Sequence, residues 1–283
     1  MLIQTLFKPD GHVASPLERR LEESGGGEVI GGAANGSAGR PSEVSMWRGT
    51  AEAAPLLSRS EDNRAAEEYR ILRTRILQHP AKPRVILISS PGIGDGKTLT
   101  AVNLAATLSY KREGSVLLVD ADLRRPRVNE CLRIQGTPGL AQVLLGEVSA
   151  ADAIVHFKEW PALHVLPSGG PADDPTELLG SAAARELFPR LRQKFGLILV
   201  DSPPIGPLAD YEELSTLCDA TLLVARPDTT SRALLRESLR KVGTRLLGVV
   251  LNGVEDWFLW TRYKPDYYRR YYRASRHDHG DPE

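Results

Sequence analysis

Short, continuous apolar runs recur along the middle of the chain, and each is bounded by polar or turn-forming residues. Because they do not alternate with polar positions, they are typical of strands covered on both faces of a sheet. They are rich in Val, Ile and Leu. The predicted strands are Val85–Ser90, Val116–Val119, Leu163–Leu166, Leu197–Val200, Ala220–Ala225 and Leu247–Leu251.

Between these runs the apolar residues follow a helical spacing. The predicted helices are Leu99–Tyr110, Leu140–Leu145, Ala182–Lys194, Ala209–Leu217 and Ser231–Val242. Strands that alternate with helices are the signature of an α/β fold with a doubly wound, mostly parallel sheet. No internal repeat is evident.

One further helix is predicted before the first strand. It should begin near Ser60, and its apolar stripe consists of Ala65, Tyr69, Leu72 and Ile76. Pro80 and Pro83 should end it.

The two ends of the chain lack such patterns. Residues 1–59 include a stretch rich in Gly, Ala and Ser, which predicts a flexible N-terminal arm. Residues 255–283 are aromatic and charged without a period, which predicts a mobile C-terminal tail. We therefore expect one globular domain over residues 60–254.

Composition restricts the possible functions. The 283 residues carry no net charge, so bulk charge gives no indication of a nucleic-acid partner. Cys131 and Cys218 are far apart in sequence, which fits a reducing compartment without disulfides or a cysteine metal site. No apolar run approaches the ~18 residues of a membrane span, and Met1–Phe7 lacks the basic leader of a signal peptide. We expect a soluble protein whose membrane role, if any, requires a partner.

A glycine-rich loop joins the first predicted strand to the following helix. It reads Ser90-Pro91-Gly92-Ile93-Gly94-Asp95-Gly96-Lys97-Thr98 and deviates from the strict Walker A pattern, because Pro91 stands at its first glycine. Backbone N–H groups of such a loop hold phosphates. Lys97 would reach the β- and γ-phosphates of a nucleotide, and the Thr98 hydroxyl would bind Mg²⁺.

Aspartates follow two other predicted strands. Asp120 and Asp122 come after Val116–Val119, and Asp201 comes after Leu197–Val200. Ligands of open α/β sheets bind at the carboxyl ends of strands, so we expect these acids beside the loop. There they could hold Mg²⁺ and accept a proton from an incoming hydroxyl, while Arg124 contacts phosphate or ties the acids in place.

Together these segments resemble the bacterial tyrosine kinases of the polysaccharide copolymerase system, over residues 61–272. The resemblance is carried by the loop, by Asp120-x-Asp122-x-Arg124, by Asp201-x-x-Pro204, by the E-x-x-R-x-x-R pattern of Glu67, Arg70 and Arg73, and by the segment Asp174-Pro175-Thr176-Glu177-Leu178-Leu179. A tyrosine cluster lies near the C-terminus, as in that family: Tyr263, Tyr267, Tyr268, Tyr271 and Tyr272.

The resemblance implies a P-loop fold that uses ATP and Mg²⁺ for tyrosine autophosphorylation. It implies that Lys97, Asp120, Asp122 and Arg124 are catalytic, with Asp120 accepting the tyrosine proton. The nucleotide-binding set would be Gly92, Gly94, Asp95, Gly96, Lys97, Thr98 and Leu99. The metal-binding set would be Thr98, Asp122 and Asp201.

Partners also follow from the resemblance. Glu67, Arg70 and Arg73 would form contacts in a ring of identical subunits, and the five tail tyrosines would be the phosphorylated residues. A separate transmembrane copolymerase would activate the kinase and recruit it from the cytoplasm to the inner face of the plasma membrane. A phosphotyrosine phosphatase would reverse the modification, and the process served would be exopolysaccharide or capsule polymerisation or export.

Alternatives remain at this level. A regulatory ATPase or scaffold related to MinD and ParA has the same nucleotide fold, but those proteins carry a second lysine where this chain has Gly92. Glu67, Arg70 and Arg73 could be solvated helix charges. The tail, with its arginines, could bind RNA or anionic lipid.

Overall fold

The structure is a computed structural model that describes residues 2–7, 64–110, 114–158, 160–206 and 209–254. One eight-stranded sheet forms its centre. The strands are β1 Leu2–Phe7, β2 Val85–Ser89, β3 Val116–Asp120, β4 Val155–His156, β5 Leu163–Leu166, β6 Leu197–Asp201, β7 Ala220–Ala225 and β8 Leu246–Val254. Their order across the sheet is β1-β8-β7-β2-β6-β3-β5-β4. The inner pairs are parallel, whereas β1 and β4 run antiparallel to their neighbours.

Helices cover both faces of this sheet. They are α1 Arg64–Leu77, α2 Lys97–Ser109, α3 Val128–Leu132, α4 Leu140–Leu144, α5 Ala150–Ala153, α6 Pro175–Leu179, α7 Ala182–Lys194, α8 Asp210–Leu217 and α9 Arg232–Val242. A short 3₁₀ helix, Gly243–Arg245, precedes β8. The predicted doubly wound α/β fold is confirmed, and the predicted helices begin and end within about two residues of the observed ones, except for the first.

The core consists of two apolar layers, one on each face of the sheet. Successive strand residues point to opposite faces, so Leu117 and Val119 join one layer while Val116 and Leu118 join the other. Helices α1 and α2 pack on the second layer, and α7, α8 and α9 pack on the first. Helices cover both faces of the parallel strands, so the side chains on both faces of each strand are buried. This accounts for the continuous apolar runs in the sequence.

Helix α1 confirms the predicted apolar stripe. Ala65, Tyr69, Leu72 and Ile76 are all buried, and the last three pack on the layer that contains α2. Burying one such large side chain stabilises the fold by roughly 1.5–3 kcal/mol. The described part of the helix is Arg64–Leu77, and its predicted start near Ser60 lies outside the described residues.

The beginning of the chain departs from the expected flexible arm. Leu2–Phe7 forms β1, which pairs antiparallel with β8 over six positions, from Leu2 opposite Val254 to Phe7 opposite Gly248. An edge strand without a neighbour exposes a row of unpaired backbone groups, and β1 satisfies those of β8. This pairing depends on a partner more than 240 residues away, which local sequence does not reveal. The rest of the expected arm, residues 8–59, lies outside the described residues.

The topology brings three strand ends together. β6 lies between β2 and β3, although it follows both in sequence. Asp120 at the end of β3 is paired in register with Asp201 at the end of β6, and the phosphate loop follows β2 next to it. The sheet therefore places the loop and both aspartate motifs at one edge, as the sequence predicts.

Candidate active site

The phosphate loop leaves β2 and enters α2 at Lys97. Gly94 and Gly96 have φ values of +87° and +90°, a region that strongly favours glycine. A Cβ atom on Gly96 would lie 1.8 Å from the Asn252 side-chain nitrogen, so any other residue there would have to displace the Asn252 side chain. Because the N-cap Gly96 has no side chain to bind the first N–H groups of α2, these donors face the loop as a potential anion site.

Asp95 shapes the loop from within. Its side chain is buried and accepts hydrogen bonds from the Gly92 N–H (2.8 Å) and the Thr230 hydroxyl (2.6 Å). The Asn252 side chain donates to the Asp95 carbonyl oxygen at 2.9 Å. Burial raises the pKa of Asp95. Asp95 thus connects the phosphate loop to Thr230 and Asn252.

Thr230 and Asn252 lie outside every motif that the sequence offered. They belong to the β7–α9 connection and to the end of β8, and only the sheet order brings them to the loop. The one available signal is the polar and small pair Asn252-Gly253, which directly follows the last predicted strand.

Lys97 lies between two carboxylates. Its Nζ is 2.7 Å from Asp122 Oδ2 and 3.9 Å from Asp201 Oδ1, and its side chain is largely buried. Burial opposes the charge of Lys97, but the negative charges of Asp201 and Asp122 outweigh this effect and raise its pKa. The lysine is therefore held charged at the mouth of the loop.

Asp120 is fully buried beneath this pair. Its two oxygens accept the N–H groups of Asp122 (3.2 Å) and Val128 (3.1 Å). Burial, reinforced by the charge of Asp201, raises the pKa of Asp120 well above its usual range. The carboxylate fixes the turn after β3 and is a stronger proton acceptor than an ordinary aspartate once it is ionised.

Asp201 and Thr98 bear on whether the site suits a metal ion. Both carboxylate oxygens of Asp201 are buried, and neither has a hydrogen-bond partner among the described residues. Burial raises the pKa of Asp201 to about 6, against the opposing effect of the Lys97 charge. Thr98, also buried, follows Lys97 at the start of α2. Oxygen ligands of this kind suit Mg²⁺. A cation would give the buried Asp201 oxygens a closer partner than Lys97 Nζ, which is 3.9 Å away.

The remaining predicted residues lie in different places. The Arg124 guanidinium contacts Asp210 and Thr176 rather than the phosphate loop. Leu99 is half-buried in the first turn of α2. On α1, Arg70 pairs with Glu67 at 2.7 Å, and Arg73 reaches the Thr107 carbonyl oxygen at 3.5 Å. The five tail tyrosines lie outside the described residues.

A separate cavity of about 340 Å³ opens at the opposite edge of the sheet. Its arginines have structural partners: Arg84 donates to carbonyl oxygens at the end of α7, and Arg245 donates to those at the end of α8. Cations at helix C-termini are stabilising, so these contacts account for the positive lining without a ligand.

Comparison with known proteins identifies the family. Residues 83–235 match the family described as AAA domain. The chain is 34% identical over 193 residues to the tyrosine-protein kinase YwqD of Bacillus subtilis (strain 168), covering 66% of this chain and 81% of that protein. The chain belongs to the bacterial tyrosine-protein kinase family. It is also 31% identical over 205 residues to the tyrosine-protein kinase CpsD of Streptococcus agalactiae, covering 70% of this chain and 88% of that one.

Longer members of this kinase family also match. Against the tyrosine-protein kinase ptk of Acinetobacter johnsonii the identity is 31% over 207 residues, but the chain spans only 28% of the length of that protein. Among the residues described here, no helix is both long and apolar enough to cross a membrane.

Solved structures agree with this assignment. The kinase domain of VpsO has a TM-score of 0.62 and 32% identity, covering 67% of this chain and 95% of that chain. The MinC:MinD complex of Aquifex aeolicus gives a lower TM-score of 0.51 at 27% identity, covering 63% and 72%. The kinase resemblance is therefore confirmed, and it is better supported than the MinD alternative.

Proposed function

We propose that this chain is an ATP-dependent protein tyrosine kinase that phosphorylates the tyrosine cluster at the C-terminus of a second copy of itself. The carrying observation is the group formed by Lys97, Asp122 and Asp201 at the mouth of the phosphate loop. Its relatives named as tyrosine-protein kinases support the choice of acceptor.

Lys97 would exchange its partners when ATP binds. In the structure the Lys97 charge is matched by Asp122 and Asp201. The β- and γ-phosphates would take their place. Phosphoryl transfer depends mainly on positioning and charge neutralisation, so no covalent enzyme intermediate is needed. The N–H groups of the loop and of the first turn of α2 would hold the remaining phosphate oxygens.

Thr98, Asp122 and Asp201 would hold Mg²⁺, which neutralises phosphate charge when bound. Asp201 fits this role because its buried oxygens have no hydrogen-bond partner among the described residues, and Lys97 Nζ is 3.9 Å away. We assign proton acceptance from the tyrosine to Asp120, whose pKa is raised by burial. Asp120→Asn should abolish transfer but retain nucleotide binding, because the charge of Lys97 is matched by Asp122 and Asp201.

The acceptor segment has a distinctive charge. Between Arg262 and Arg273 five cations, Arg262, Lys264, Arg269, Arg270 and Arg273, stand against Asp266, a net charge of +4. Each phosphate adds roughly −1.5 to −2 charges, so two or three phosphates would neutralise or invert this segment. We propose that this change loosens a ring-like assembly in which Glu67, Arg70 and Arg73 lie at the subunit contact.

The wider setting is proposed on the same basis. A separate transmembrane polysaccharide copolymerase would activate the kinase at the inner face of the plasma membrane, and a phosphotyrosine phosphatase would reset it. The process regulated would be exopolysaccharide or capsule polymerisation or export.

Incubation with γ-labelled ATP and Mg²⁺ tests the function. The reaction is run with the isolated chain and again with the activating partner added. We expect label on protein tyrosine, identified by phosphoamino-acid analysis, in at least one of the two conditions. Label that appears only as free phosphate, with none on protein under both conditions, would instead support the MinD-like ATPase.

A further inference from the structure

Arg124 is held in a closed network of three side chains. Its Nε donates to Asp210 Oδ2 at 2.6 Å, and its Nη2 donates to Asp210 Oδ1 at 3.0 Å. The same Nη2 lies 3.1 Å from the Thr176 hydroxyl, which in turn donates to Asp210 Oδ1. This two-pronged geometry is available to arginine and not to lysine. We call these three residues the Arg124 cluster.

The cluster joins three separate segments. Arg124 follows β3, Thr176 lies in the first turn of α6, and Asp210 is the first residue of α8. The Asp210 side chain is fully buried, whereas that of Arg124 is 35% exposed. Burial opposes the charge of Asp210, but its hydrogen bonds from Arg124 and Thr176 prevail and lower its pKa. The carboxylate is thus ionised, and Arg124 and Thr176 donate hydrogen bonds to its two oxygens.

The same network connects the two acids that face Lys97. Asp122 lies two residues before Arg124, and Asp201 lies nine residues before Asp210. On the sheet side, their strands are joined by the Ala121 N–H, which donates to the Asp201 carbonyl oxygen at 2.8 Å. On the outer side, the bond between Arg124 and Asp210 links the two connections that leave these strands.

We propose that Asp210 and Thr176 are positioning residues that hold Arg124 and thereby set the spacing between Asp122 and Asp201 required for a metal-bound nucleotide. Arg124 accordingly acts through this spacing rather than by touching phosphate. The inference rests on the proposed function only in its choice of a metal-bound nucleotide; it does not depend on tyrosine as the acceptor.

The alternative role for Arg124 is direct contact with phosphate, and the two roles predict different binding behaviour. A phosphate contact would contribute to nucleotide affinity with or without metal. A spacing role would contribute mainly when a metal ion is present, because the carboxylates would hold the metal, whereas the loop N–H groups would hold phosphate with or without it. Metal affinity is sensitive to such outer contacts, typically by 10–100-fold.

The test measures binding of a fluorescent ADP analogue to the full-length chain, once with Mg²⁺ and once with EDTA. The variants are Arg124→Ala, Asp210→Asn and the double variant, with Arg127→Ala as control. Arg127 lies three residues away and forms an exposed ion pair with Glu130 at 3.2 Å. We expect each cluster variant to lose roughly 10-fold or more of the affinity gained from Mg²⁺, with EDTA affinity within about twofold of wild type. The double variant should lose no more than the worse single variant, because both remove the same link.

A milder pair keeps the proposal testable if Asp210→Asn fails to fold. Thr176→Ser retains the hydroxyl and should retain the Mg²⁺ effect, whereas Thr176→Val should reduce it. Equal loss of affinity in Mg²⁺ and in EDTA for Arg124→Ala would identify a phosphate contact and overturn the proposal. So would an unchanged Mg²⁺ effect in folded Asp210→Asn, or equal behaviour of the two Thr176 variants.

Failure of the proposed function would look different. If wild-type protein forms no phosphotyrosine but binds the ADP analogue more tightly with Mg²⁺, the tyrosine kinase proposal fails and the cluster can still be tested. If phosphotyrosine forms but the cluster variants behave as wild type, only the positioning proposal fails.

Discussion

At the scale of single residues, the site is built around one cation and the acids that surround it. Lys97 contacts Asp122 and lies within ion-pair distance of Asp201, and Asp120 is buried beneath them. Three carboxylates in a space with one lysine leave a negative excess in a buried environment. Such an arrangement is costly to the free protein and favourable once a cation binds.

Lys97→Met should reduce tyrosine phosphorylation by at least about 100-fold, because phosphate charge that develops in the transition state would lose its partner. Quantitative phosphotyrosine detection over a time course measures the effect. Lys194→Met, at the exposed end of α7, is the control and should behave as wild type. Phosphorylation near the wild-type level in Lys97→Met would contradict the assigned site.

Asp201→Asn should stabilise the folded protein at neutral pH and at the same time remove the effect of Mg²⁺ on nucleotide binding. The folded-state pKa of Asp201 is about 6 against an ordinary value of 3.8. Between these pH values the folded state retains a proton that the unfolded state releases, so the free energy of unfolding falls as pH rises through this window. Above pH 6 the ionised Asp201 carboxylate lowers the free energy of unfolding by an amount on the order of 1–3 kcal/mol.

Thermal unfolding in EDTA at several pH values checks this prediction. Asp201→Asn should have a higher Tm than wild type at pH 7.5, by roughly 2–4 °C for each kcal/mol, and the difference should disappear towards pH 4. The same variant should lose the effect of Mg²⁺ on nucleotide binding. Asp228→Asn, on the exposed β7–α9 connection, is the control. A lower Tm for Asp201→Asn at pH 7.5 would contradict the assigned electrostatics.

At the scale of elements, the phosphate loop after β2 depends on contacts with β8, which is separated from β2 by β7. Gly96 lies against Asn252 of β8, while Asp95 is bound by Thr230 before α9. These contacts hold the loop in its conformation from within the protein. Preorganised backbone donors of this kind avoid the entropic cost of ordering the loop on binding.

Gly96→Ala should lower nucleotide affinity by about 10-fold or more, since the added Cβ both meets Asn252 and disfavours the positive φ. The matched control is Gly146→Ala, where φ is +76° but no atom lies within 4 Å of the new Cβ. Both variants should lose a similar backbone contribution of about 1–2 kcal/mol in stability. Titration with an ADP analogue should reveal a binding defect in Gly96→Ala alone; equal affinities would contradict the role of the contact.

At the scale of the whole molecule, the buried positions of two tyrosines restrict where phosphate can be added. Tyr69 and Tyr211 lie in the core, with 1% and 3% exposure, while Tyr110 at the end of α2 is 42% exposed. Among the tyrosines of the described residues, only Tyr110 is open to a second active site. The proposed substrates are the five tyrosines of the C-terminal segment.

Deleting residues 262–283 should abolish autophosphorylation and leave ATP binding unchanged, because the acceptors are lost while the sheet edge is intact. Tyr110→Phe is the control and should be phosphorylated as wild type. Mass spectrometry of the full chain should place phosphate on Tyr263, Tyr267, Tyr268, Tyr271 or Tyr272. A truncated protein that is phosphorylated on tyrosine to the wild-type extent would show that the acceptor lies elsewhere.

The sequence by itself determined the fold class and which residues the sheet brings together at the candidate site. Apolar runs covered on two faces have a continuous pattern, and the loop, Asp120, Asp122 and Asp201 are each adjacent in sequence to the strand that positions them. These features are local, because the end of a buried strand and the start of a helix carry their own signals. For the same reason α1 was predicted by its stripe, whereas the short elements α3, α5 and β4 gave too few residues for a period.

The tertiary structure alone decided which distant side chains complete the site. Asn252 and Thr230 support the loop, Asp210 and Thr176 hold Arg124, and Leu2–Phe7 closes the edge of β8. Each of these contacts joins residues that are separated by 50 to more than 200 positions. They depend on the order of strands in the sheet, which follows from the packing of the entire chain and leaves no periodic pattern in any one segment.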